Sequence, residues 1–84
     1  MHESGMIKKL LETAIAEADR RGAELAGIEL RLGVLAGGSP EHMREHFELE
    51  RARLGLPPIE LSICVEADYP GGVEITGVEL RPKG

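Results

Sequence analysis

Eighty-four residues are enough for one domain, and 15 acidic against 10 basic side chains leave a net charge of −5. With Phe47 and Tyr69 as the only aromatics and no Lys/Arg cluster, a basic face or base-stacking platform is excluded, so no nucleic acid is expected as a partner. A single cysteine, Cys64, excludes both an internal disulfide framework and a zinc site built from CxxC pairs.

No apolar run approaches the roughly 20 residues of a membrane span, and no secretory-type apolar segment opens the chain. The expectation is therefore a cytoplasmic protein, residues 1–84 forming one domain with no membrane partner. The acidic excess gathers after residue 59, where Glu60, Glu66, Asp68, Glu74 and Glu79 face only Arg81 and Lys83.

In chain order, Ser4 is placed to cap a first helix and Gly22 to end it. Ile7, Leu10, Leu11, Ala14 and Ala18 share one face of that helix, while Lys8–Glu12 and Glu17–Arg21 pair at i,i+4 on the wet side. A half-buried strand follows, with Ile28, Leu30, Leu32 and Val34 inward and Glu29 and Arg31 outward. Gly37-Gly38 breaks it. Ser39 then caps a second helix, with Pro40 at its first position and Glu41 in its first turn, running to about Leu54 and stopping at Gly55.

The second strand carries Ile59, Leu61, Ile63 and Val65 inward and Glu60, Ser62, Cys64 and Glu66 outward. Tyr69-Pro70-Gly71-Gly72 reads as a turn. The third strand starts with Val73 and Ile75 inward and changes phase to Val78 and Leu80, which predicts a one-residue bulge at Gly77. A crossover through the second helix makes the first two strands parallel. The turn after residue 66 makes the last two strands antiparallel. The fold class is α+β: two layers, a three-stranded mixed β-sheet covered on one face by two helices, in the order α-β-α-β-β.

Three groups of residues carry candidate chemistry. The first is Met1, His2 and Glu3. The amine of Met1, the backbone nitrogen and imidazole of His2, and a nitrogen or carboxylate of Glu3 make a flat set of donors. That set suits square-planar Ni(II) or Cu(II) better than tetrahedral zinc. Second, His42 and His46 stand four apart on the second helix, a spacing that can place two imidazoles on one metal, with Glu41 and Glu45 nearby. Exposed helix histidines without a metal are the commoner outcome, and His46 is expected to pair locally with Glu50. Third, Cys64 faces outward on its strand, most simply as a small strand residue. No P-loop, Gly-x-Ser-x-Gly elbow or motif-fixed carboxylate pair is present, so an enzyme is not expected.

The placed elements resemble the HypA/HybF family of hydrogenase nickel-insertion proteins. The likeness rests on Met1-His2-Glu3 ahead of a helix, and on Gly33-Val34-Leu35-Ala36-Gly37-Gly38-Ser39-Pro40-Glu41 leading into a helix with Phe47-Glu48-Leu49. Gly77-Val78-Glu79-Leu80-Arg81 in the last strand completes it. The family inserts a zinc domain with two CxxC motifs between its last two strands, whereas this chain has only the short link from Ala67 to Gly72.

The resemblance implies nickel held by His2, Glu3 and the Met1 amine, no zinc, and a hydrogenase large subunit or maturation GTPase as partner. The expected function is thus a nickel metallochaperone. The alternative is a metal-independent interaction module of the same fold, whose exposed sheet edges leave a homodimer open.

Overall fold

The computed structural model describes residues 3–33 and 39–83, with side chains in the first helix from Gly5 onward. Helix α1 spans Glu3–Arg20, strand β1 Ala23–Gly33, helix α2 Pro40–Arg53, strand β2 Glu60–Glu66 and strand β3 Val73–Pro82. This is the α+β arrangement expected from the sequence, a three-stranded mixed sheet with both helices packed on it.

The chain is already helical at Glu3, so Ser4 lies within α1 rather than at its cap. Its end follows expectation. Gly22 adopts φ +67, and its amide donates to the Asp19 carbonyl at 3.1 Å, closing carbonyls that the helix leaves open. Of the two i,i+4 pairs read from the sequence, Glu17–Arg21 closes at 2.7 Å, and Arg20 binds the same carboxylate.

The strand order is β2-β1-β3, with β1 in the middle. β1 runs parallel to β2 and antiparallel to β3. β2 and β3 thus have opposite directions but do not pair; the link between them carries the chain across to the far edge. The predicted bulge is present. Glu29 faces Gly77 and Leu30 faces Ile75, leaving Thr76 as the extra residue. The Thr76 hydroxyl donates to the Glu29 carbonyl at 3.3 Å, holding the distorted segment onto the central strand.

A second register shift lies on β1, where Leu25 faces Leu80 and Gly27 faces Glu79. Ala26 is the extra residue there. The shift explains how Leu25 and Ile28, three apart, both turn inward at 6% and 1% exposure.

The core lies between sheet and helices. Ile7, Leu11, Ala14 and Ala18 of α1 meet Leu25, Ile28, Leu30 and Leu32 of β1, with Met43, Phe47, Ile59 and Leu61 closing the β2 side. Val65 departs from its expected inward role and is 47% exposed, because it lies at the far end of an edge strand beyond the helix cover. Val34 and Gly37-Gly38 lie outside the described residues.

Gly33 ends β1 where the Tyr69–Gly72 turn folds back on it. Its amide donates to the Gly72 carbonyl at 2.9 Å, and a Cβ there would overlap the Gly71 carbonyl oxygen. Among the described residues, no helix is long and apolar enough to cross a membrane.

Candidate functional site

Helix α2 holds most of the side chains with chemistry to offer. Its start is fixed by Ser39, whose extended backbone (φ −97, ψ 160) lets the hydroxyl accept from the His42 amide at 3.1 Å. Its end closes in two steps: the Gly55 amide donates to Ala52 at 3.0 Å and the Leu56 amide to Arg51 at 3.1 Å, with Gly55 at φ +71. Arg51 adds a bond to the Leu56 carbonyl at 2.7 Å, and Arg44 bonds the Leu61 carbonyl on β2. Met43 and Phe47 bury the inner face at 6% and 3% exposure.

On the outer side, His42 and His46 come together. Their Nε2 atoms are 3.1 Å apart, and the rings meet edge-on with centroids 4.5 Å apart and planes at 73°. The i,i+4 spacing brings the imidazoles side by side, as read from the sequence.

The expected His46–Glu50 pair is not formed. Glu50 is 4% exposed and turns the other way, to Arg53 one turn on. A buried carboxylate needs a strong donor, and the guanidinium reaches it without leaving the helix surface. The contact raises the Arg53 pKa, chiefly through its hydrogen bond to Glu50.

Met1 and His2 lie outside the described residues, as does the Glu3 side chain. The Glu3 backbone is described, and it is already helical. Among the described residues, no three His, Cys, Asp or Glu side chains gather closely enough to hold a metal ion.

The outward sheet face has its own centre at Arg31. Its guanidinium binds Glu74 on β3, lies 3.5 Å from a Glu66 oxygen on β2, and stacks over the Tyr69 ring at 4.1 Å. The Glu74 hydrogen bond is the main cause of its raised pKa. Sequence reasoning placed Arg31 outward without identifying this cluster; the signal was a lone arginine on a central strand between two acid-rich edges. Cys64 is exposed as expected, beside Arg31 in the ladder, with its thiol 3.9 Å from Glu66.

A groove of about 520 Å³ runs between α1 and β3, with Ala14, Ile75, Val78 and Leu80 in its walls and Glu17 and Arg21 on its rim. No family model matches the chain, and no curated protein matches it.

Proposed function

We propose that the chain is a nickel-binding accessory protein that carries Ni(II) at its N-terminal end for transfer to a client. The donors in this reading are the amine of Met1, the backbone nitrogen and imidazole of His2, and Glu3. The observation that carries it is that the chain is already helical at Glu3, the first residue described. The first amides of an α-helix have no partner within the helix. In a chain that begins at Met1, the Glu3 amide has no carbonyl four residues back to bond, which leaves its nitrogen available as a ligand. Deprotonated backbone nitrogens are anionic, and negative charge is favoured at the positive end of a helix dipole.

An end-on site with a contestable fourth position suits delivery. A client ligand can enter before the ion leaves, and no covalent step is required of the protein. Cytoplasmic location fits such a role, and the clients that suit it are a hydrogenase large subunit or a maturation GTPase.

The test is nickel titration of protein made with Met1 as its true first residue. A weak yellow absorption band of square-planar nickel should appear at one equivalent. His2→Ala, or extra residues ahead of Met1, should abolish it. A square-planar band of equal strength in the His2→Ala protein overturns the reading.

A second reading is a metal-independent interaction module, a homodimer included. It draws support from the half-buried Ile75, Val78 and Leu80 in the α1–β3 groove and from Val65 exposed at the opposite edge. Loss of the nickel band together with a concentration-independent monomer mass would count against both.

A further inference from the structure

The geometry points to a second metal site on this chain, a two-histidine chelate for a divalent first-row ion formed on the flank of α2 by exposed His42 and half-buried His46. It is independent of the N-terminal nickel reading and uses none of the same residues.

The spacing of the nitrogens carries the argument. Two imidazole nitrogens bound cis to one ion, each at 2.0–2.1 Å, stand about 2.8–3.4 Å apart between square and tetrahedral angles. His42 Nε2 and His46 Nε2 are 3.1 Å apart. The ring centroids, at 4.5 Å, are closer than they would be if the rings met head-on at that nitrogen separation. The rings are therefore inclined to one another, with planes at 73° and the two Nε2 atoms close.

The two nitrogens already lie within hydrogen-bond distance of one another, and an ion bound between them would take the place of that contact.

The helix supplies the rigidity. Its start is tied by Ser39, its end by Gly55 and Arg51, and its inner face by Met43 and Phe47. Ordering of the two imidazoles is thus already in place before the ion arrives. Zn(II), Ni(II) and Cu(II) all accept such a pair of imidazole nitrogens, and Cu(II) binds tightest.

The test uses full-length His2→Ala protein, which lacks the N-terminal grip, titrated with Zn(II). Imidazole nitrogen resonances of both His42 and His46 should shift together and saturate at one equivalent, and the thermal midpoint should rise. His42→Ala or His46→Ala should weaken binding at least tenfold. The double variant Glu41→His, His42→Glu keeps the composition but moves the histidines to opposite sides of the helix, and it should lose the response with an unchanged far-ultraviolet dichroism spectrum. Unshifted His42 and His46 resonances, or Zn(II) binding by the rearranged variant equal to the parent, overturns the proposal. Neither result bears on the nickel band, which is read in protein with His2 intact.

Discussion

The two helices cover the same sheet by different means. Among its described side chains α1 buries only aliphatic ones: Ile7 and Leu11 are fully buried, and Ala14 and Ala18 are at 1% and 2% exposure. α2 turns in Met43 and Phe47 but also the carboxylate of Glu50, and it leaves Leu49 69% exposed. What α2 lacks in apolar area is offset by tethers at both ends, from Ser39 and Arg44 to Arg51 and Gly55. One helix is held by aliphatic burial. The other adds end tethers to the burial of Met43 and Phe47 and carries the histidine pair on its flank.

The largest effect expected from that contrast is at Leu11. Leu11→Ala removes a fully buried side chain and should cost about 2–5 kcal/mol in urea denaturation. Leu49→Ala on α2 should change stability by no more than about 0.5 kcal/mol. Similar losses at the two sites would break the comparison, because they would mean that α2 also depends on leucine burial.

A smaller effect is expected at the cap. Ser39→Ala removes the acceptor for the His42 amide and should cost about 1 kcal/mol. Hydrogen exchange sharpens the point. Protection should fall in the first turn of α2 and stay unchanged in α1. Because His42 sits in that turn, the same substitution should also loosen the His42–His46 geometry and weaken the Zn(II) response.

Much of this was legible in the sequence, for definable reasons. Alternation and 3.6-residue periodicity are set by burial, so the elements and most inward residues could be read directly. Ser39, Gly22 and Gly55 were readable because caps are local chemistry. The Gly77 bulge was visible because a change of phase within one strand has few other causes. The matching shift at Ala26 was missed because the first strand was read only from Ile28 onward, which left Leu25 out of the pattern.

Strand order was not legible, since a six-residue link between β2 and β3 allows either a hairpin or passage to the other edge. The exposure of Val65 depends on where the helix cover stops, which parity along a strand does not report. At the candidate sites, spacing brought His42 and His46 together on paper. Whether their nitrogens converge, and whether Glu50 turns to His46 or to Arg53, depends on rotamers and on burial of the carboxylate.

The smallest effect concerns charge on α1. The Glu17 carboxyl is held below the usual glutamate range, first by its hydrogen bond from Arg21 and then by that from Arg20, with partial desolvation opposing them. A carboxylate with a lowered pKa in the folded state contributes stability above its unfolded pKa of about 4.3. That contribution is lost as pH falls through the lowered folded value. Glu17→Gln should therefore lie slightly below the parent in urea midpoint at pH 7, and the gap should close as pH falls below about 4. A gap of the same size at pH 3 and pH 7 would mean that the loss on substitution does not come from the carboxylate charge, and the ion pairs with Arg20 and Arg21 would then add nothing measurable to the burial that holds α1.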